Sequence, residues 1–292
     1  MSAQSKIAKA MVPVTARSPR KLSPGEMWGL AMLAPYAVIF ALFVLYPIAY
    51  GLWLARNPQT YVELAADPIF LRTVVNTIVF LVVAVNVKMG LALALSGFFL
   101  QPRWWIRILG LIFILPWALP SIPTILAIRF MLNPEWGIIN STIFRLTFED
   151  GPNWLNDPTL ALSLAMVTHI WKALPFWTLI LISGRLAISR ELYEAAAVDG
   201  ASGLQRFRYI TWPSIATLYV TCTLLSTIWS LGDFNSVYLL TGGGPADLTH
   251  VLATLGIRYL RLDHVDLYMA AVVCALPVMA PIIYYMMRRL SK

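Results

Sequence analysis

The chain has 292 residues, 59% of them hydrophobic and only 12% charged, with a mean hydropathy of +0.71, whereas soluble domains carry about a quarter charged residues. A water-soluble fold of this size needs a polar outer shell that this composition cannot supply, so lipid must surround most of the molecule. The net charge of +8 is spread over the segments between apolar runs rather than gathered in one patch, which excludes a nucleic-acid partner and fits a membrane topology.

A helix needs about 20 apolar residues to cross the hydrocarbon layer. Six stretches meet that length with charges only at their ends: 28–55, 73–100, 106–132, 160–183, 214–240 and 267–287. Ahead of them, residues 1–27 carry Lys6, Lys9, Arg17, Arg20 and Lys21, and the apolar run that follows is too long for the core of a secretory signal. The expected organisation is therefore a cytoplasmic N-terminal segment, 1–27, and one all-α transmembrane domain of six helices, 28–292. Cys222 and Cys274 lie in separate apolar runs, so no disulfide framework or zinc cluster is available.

An even number of spans puts both ends on one side, and basic residues decide which. Placing them inside gathers Lys6, Lys9, Arg17, Arg20, Lys21, Arg103, Arg107, Arg185, Arg190, Arg206, Arg208, Arg288, Arg289 and Lys292 there, with Glu26, Glu191, Glu194 and Asp199 as the inner acids. The outer segments then hold nine acids, among them Glu63, Asp67, Asp157 and Asp247. Both distributions favour cytoplasmic ends. Pro116, Pro120 and Pro123 in the third span read as a kink.

The longest inner loop, 184–213, reads as two short helices and a turn. Leu192, Ala195 and Ala196 share a face of the first, and Gly200 sits where a helix ends in a left-handed residue. Ser202 followed by Gln205 is a capping box that restarts a helix. Leu204, Phe207 and Ile210 recur at helical spacing with Gln205, Arg206 and Arg208 turned away, and Pro213 suits the first turn of the fifth span.

This loop resembles the signature of the integral membrane permeases of binding-protein-dependent ATP-binding-cassette importers. Glu194, Ala195 and Ala196, then Gly200, then Ile210 and Pro213 stand at the family's spacing, with Trp212 where leucine is usual, and the resemblance implies an ATPase-coupling set of these residues with Asp199. The resemblance implies an ABC type I importer permease core whose coupling helix docks into a cytoplasmic ATPase. Further phrases are similar to the sugar-transporting branch, typified by the maltose permease: Asn153, Trp154 and Leu155; Ile170, Trp171 and Lys172 with Pro175 and Phe176; Glu191, Leu192 and Tyr193; Gly137 to Asn140; and Thr241 to Pro245. No Lys-Ser or Lys-Thr follows Gly242, Gly243 and Gly244, so these glycines read as a turn and not a phosphate cradle.

Thr223, Ser226, Thr227, Ser230 and Asp233 form a polar stripe along the fifth span, with Trp229 beside it. Hydroxyls, an aromatic plate and a carboxylate suit a sugar; the same stripe suits helix packing through small polar residues. The resemblance to the maltose-type permease carries a solute pathway onto Ser226, Trp229, Ser230 and Asp233, and onto Trp171, Lys172, Ala173 and Phe176 in the fourth span. Lys172 either pairs with Asp233, sits at a helix end, or meets an anionic substituent. His169 and Lys88 read more weakly, as packed residues, and Asn76 and Asn86 as links between helices.

The resemblance implies a transport subunit in the bacterial inner membrane with no catalytic residue, metal or cofactor of its own, ATP and magnesium being held by the ATPase. Its implied partners are a second permease subunit, a cytoplasmic ATPase dimer, an extracytoplasmic solute-binding protein and a sugar. A glycerol-phosphate, polyol or acidic-sugar solute is the alternative within this class. A secondary transporter has no use for the inner loop, and no Gly-x-Ser-x-Gly or His-Glu-x-x-His motif marks an intramembrane enzyme.

Overall fold

The computed structural model describes residues 23–290. Lys6, Lys9, Arg17, Arg20, Lys21 and Lys292, and with them most of the expected segment 1–27, lie outside the described residues. The chain falls into two compact units, one ending at Trp53 and the other beginning at Leu54.

The first unit holds α1, which runs as Pro24–Phe40, passes through a π turn at Ala41–Leu45 and continues as Tyr46–Leu54. Its apolar side chains are exposed on every face, the pattern of a helix surrounded by lipid. The π turn precedes Pro47, whose missing N–H and bulky ring disturb the regular ladder.

The second unit begins with α2 (Pro58–Ala66) and α3 (Pro68–Phe99). Asn57 and Asp67 cap these helices, accepting from Gln59 N–H and Ile69 N–H, and proline occupies the first turn of each. Within α3 a π turn at Leu81–Val85 is followed by Asn86, which donates to Val82 O at 2.7 Å instead of linking two helices. α4 (Trp104–Ala118) and α5 (Ser121–Met131) follow, then α6 (Ile138–Thr147) and the long α7 (Pro158–Leu186), capped by Asp157. α8 (Arg190–Val198) precedes α9, which starts at Gly203–Arg206, passes a π turn at Phe207–Thr211 and continues as Trp212–Leu231. α10 (Asn235–Thr241), α11 (Leu252–Arg261), α12 (Val265–Val273) and α13 (Leu276–Leu290) complete the chain.

Four helices have the length and composition of a membrane span, and the bent pair α4 and α5 makes a fifth. The third expected span, 106–132, is thus not one kinked helix: its halves meet at 97°. The residue before a proline is pushed out of the helical region, and Leu119, ahead of Pro120, is extended. The sixth expected span is likewise interrupted at Cys274 and Ala275, ahead of Pro277. The fifth extends beyond 214–240, from Gly203 to Thr241, with an irregular step at residues 232–234. The second helix of the inner loop is therefore not separate but the first turns of α9, and the π turn accommodates Pro213 within it.

α3 and α7 form the most extensive seam in this unit. Small buried residues on both, Ala84 and Ala92 on α3 and Ala161 and Ala165 on α7, let membrane helices approach closely. One core joins Phe80 and Ala84 of α3, Ile125 of α5, Leu162 and Ala165 of α7, and Val237 and Leu240 of α10. A second joins Val85 and Met89 to Trp177, Leu181 and Cys222. A third packs Leu64 of α2 against Leu255 and Tyr259 of α11 and Ala270 and Ala271 of α12.

Candidate functional site

Two of the interrupted apolar spans, at the break between α4 and α5 and at the step between α9 and α10, come together in the structure. Irregular backbone there is tolerated where it is buried in protein or lines a cavity. Both breaks line the same cavity, of about 430 Å³: Trp117 and Ser121 come from the first, and Gly232, Asp233, Phe234, Asn235 and Ser236 from the second. His169, Lys172, Ala173, Phe176 and Trp177 of α7 close it, with Trp229 of α9.

The first break explains Lys172. Pro120 and Pro123 have no N–H, so the carbonyls four residues earlier, Pro116 O and Leu119 O, lose their helical donors. Lys172 Nζ donates to both, at 2.9 and 2.7 Å. Of the three readings of this lysine the helix-end position is observed; pairing with Asp233 is not.

Asp233 turns instead to His169. His169 Nδ1 and Asp233 Oδ2 are 2.5 Å apart, and Ser236 N–H donates to Asp233 Oδ1 at 3.2 Å. On its other nitrogen His169 meets Lys88 Nζ at 2.9 Å and Ser230 Oγ at 3.0 Å, and Lys88 also donates to Ser230 Oγ at 3.2 Å. A neutral His169 that donates from Nδ1 and accepts at Nε2 satisfies both contacts, and links a cation on α3 to a carboxylate beyond α9. Lys88 is 1% exposed, a position a lysine holds only when paired. Reading His169 and Lys88 as merely packed residues thus missed the network. The signal was present: Lys88 is a charge in the middle of a span, and His169, Lys172, Ala173 and Phe176 recur on one helical face.

The aromatic wall is continuous. Trp117 stacks on Phe176 with ring centres 5.7 Å apart, and Phe176 and Trp177 both meet Trp229, at 5.4 and 5.5 Å. Trp117 and Asn235 were not anticipated. Of the eight expected pathway residues, Lys172, Ala173, Phe176, Trp229 and Asp233 line the cavity, whereas Trp171, Ser226 and Ser230 do not. Ser230 is held in the Lys88 network, Ser226 is fully buried, and Trp171 is exposed away from the cavity.

The inner loop has the expected local geometry. Ser189 caps α8, accepting from Glu191 N–H; Gly200 is left-handed at φ +74°; and Ser202 and Gln205 form the capping box. Glu194, Ala195, Asp199 and Gly200 are exposed, Ala196 and Ile210 half-buried, and Val198 is 89% exposed. α8 is tied to α9 through the hydroxyls of Tyr193 and Thr211, 2.8 Å apart. Leu204 does not join Phe207 and Ile210 on a packed face: it is exposed, and Arg206 folds back to donate to Ala201 O. Pro213 is exposed at the surface of α9.

At the opposite end of α9 and α10, the loop 242–251 is built on Gly242, Gly243 and Gly244, a turn as expected. Gly243 has φ +89°, and a Cβ there would meet the His250 ring. Asn76 donates to Leu248 O and His250 O, so it links α3 to this loop, and Thr77 accepts from Leu252 N–H. Arg258 reaches Asp67 at 2.7 Å and Asp247 at 3.2 Å, and Tyr259 donates to Asp67 at 3.0 Å. Burial works to raise the Asp67 pKa, but Ile69 N–H, the Tyr259 hydroxyl and Arg258 outweigh it and hold the carboxyl below its usual range. Burial pushes the Tyr259 hydroxyl up. No cluster of metal-binding residues occurs among the described residues.

Membrane-length apolar helices broken around a cavity are the features of membrane translocation components. The model of the family "binding-protein-dependent transport system inner membrane component" matches residues 86–292, and the chain belongs to that family. It is 34% identical over 245 residues to the sulfoquinovosyl glycerol transport system permease protein of Agrobacterium fabrum, covering 78% of each chain. With the trehalose/maltose transport system permease protein of Thermococcus litoralis it shares 30% identity over 247 residues, 80% of this chain and 83% of that one. A solved bacterial ABC transporter involved in import of the acidic polysaccharide alginate has a chain of the same fold, with a TM-score of 0.76, 22% identity, and coverage of 92% of this chain and 97% of that one.

Proposed function

We propose that this chain is the permease of an ATP-driven sugar importer and forms half of its translocation pathway. The observation that carries the reading is the cavity at the two helix breaks. Its stacked rings of Trp117, Phe176 and Trp229 offer flat apolar faces to a sugar ring, and Asp233, Asn235 and Ser121 offer hydrogen bonds to hydroxyls. The sugar solutes in the names of both relatives support the same class.

In this reading the chain has no ATPase site of its own. The exposed α8 and Gly200 dock on one of a pair of cytoplasmic ATPases, which hold ATP and magnesium. A second permease subunit completes the pathway, and an extracytoplasmic binding protein delivers the solute. Loop 184–213 and both ends are then cytoplasmic, and loop 242–251 faces outward. Closure of the ATPases moves α8 as a rigid element and switches access to the cavity.

The test is uptake into proteoliposomes carrying the complete importer. Trp229→Ala removes a ring of the sugar platform and lowers uptake about tenfold, in keeping with the 1–3 kcal/mol of a large aromatic contact. Wild-type uptake in that variant, with normal membrane insertion, excludes this cavity as the sugar site.

A further inference from the structure

A second cleft, of about 470 Å³, continues the groove between α5 and α10 toward the 242–251 loop. Ser121 and Ile125 of α5 line the inner cavity, and Arg129, two helical turns beyond Ser121, lines this one. On α10, Asn235 and Ser236 line the inner cavity, and Tyr238 and Leu239 the second. The two clefts therefore lie end to end along the same pair of helices.

The second cleft presents two guanidiniums, Arg129 and Arg261. Both are tethered to consecutive residues of α10. Arg261 donates to the Tyr238 hydroxyl at 2.6 Å and lies 5.7 Å from that ring's centre, while Arg129 reaches Leu239 O at 3.4 Å. That carbonyl is free because Gly243 N–H donates to Thr241 Oγ1 instead of continuing the helix. Each tether leaves most of a five-donor fork unused. Neither arginine has a carboxylate partner among the described residues, whereas Arg258, on the same helix as Arg261, has two, Asp67 and Asp247. Asp247 is the one carboxylate of the cleft lining, and Arg258 already engages it. Deeper along the groove, Lys172 adds a positive charge whose partners are carbonyls rather than a carboxylate. Unneutralised cations in series along a pathway favour an anion.

We propose that the Arg129 and Arg261 cleft receives the carboxylate of an acidic sugar on its way to the inner cavity. This rests on the importer reading and names the substrate class of the same pathway.

The test uses the complete importer with its binding protein in lipid, and measures ATP hydrolysis with two matched pairs, glucose with glucuronate and galactose with galacturonate. An acidic member stimulates and its neutral partner does not, and R129Q/R261Q raises the half-stimulating concentration about tenfold or more, the scale of a lost charge-assisted contact. R129K/R261K keeps the charge without the fork and falls between wild type and R129Q/R261Q. Three results overturn the inference while the importer reading stands. One is stimulation by a neutral sugar that R129Q/R261Q leaves unchanged. Another is an equal defect in the Lys and Gln variants, which makes the arginines structural. The third is a loss in R129Q/R261Q matched by weaker binding of the unloaded binding protein, which assigns the arginines to protein docking. Failure of a demonstrably loaded binding protein to stimulate the wild-type complex, whatever the sugar, overturns the importer reading itself, and this inference with it.

Discussion

Lys172 answers a local problem set by Pro120 and Pro123. The two prolines strip donors from the carbonyls of Pro116 and Leu119, and one ammonium on α7, 56 and 53 residues further on, satisfies both. Lys172→Met leaves the part-buried Pro116 carbonyl without its donor, at about 1–3 kcal/mol, and the exposed Leu119 carbonyl at a smaller cost. The expected result is a lower thermal midpoint of the purified subunit, partly recovered by Lys172→Arg; an unchanged midpoint in the Met variant contradicts the clasp. The same residue shows what a sequence withholds. The spacing of the prolines identifies the orphaned carbonyls, but which lysine meets them depends on how α4 packs against α7. For His169 the obstacle was different. Its donor, Lys88, and its acceptor, Asp233, come from α3 and from the step after α9, so no local pattern joins the three.

Among the elements, the α8 hairpin was the most legible, because capping boxes and left-handed glycines are decided within a few residues. Gly200 needs its φ of +74°, yet a Cβ there meets nothing within 4 Å. A side chain at this position therefore costs about 1–2 kcal/mol of backbone strain and no clash within the chain, so its bulk is felt by a docked partner. Gly200→Leu is expected to insert normally and to lose solute-stimulated ATP hydrolysis in the assembled importer; retained stimulation contradicts docking through this turn. Broken spans were the least legible elements, since hydropathy reports apolar length and not continuity. Proline at 120 and 277 marks two of the three interruptions, but the step at residues 232–234 has none and Pro175 lies inside an unbroken α7, so proline alone does not decide.

The 242–251 loop carries its own pH dependence. Burial holds the His250 pKa below the ordinary histidine value; Asp247 opposes this, while Arg258 and Arg261 add to it. The folded loop thus binds the proton less readily than the open chain. Its contribution to stability is full above about pH 6.5 and declines as pH falls from there toward the lowered value. Amide protection factors across 242–251 are expected to drop between about pH 7.5 and about pH 5.5, and His250→Gln to flatten the change. Equal protection at both values contradicts this assignment.

From Leu54 onward the described helices pack on apolar cores and leave a polar cavity between them, and the composition alone excluded a water-soluble fold. Family membership rests on residues 86–292, and the cavity explains why such a chain keeps charges and broken backbone inside lipid. The proposed function requires that events in that cavity reach α8, at the far end of α9 from the step at residues 232–234. The deciding measurement is ATP hydrolysis by the complete importer in lipid, with its binding protein empty or loaded from a panel of neutral and acidic sugars. Stimulation by a loaded sugar, abolished by Gly200→Leu, is the predicted result. A complete complex with a demonstrably loaded binding protein that hydrolyses ATP at its unstimulated rate would contradict a role for this chain in coupling solute to ATP.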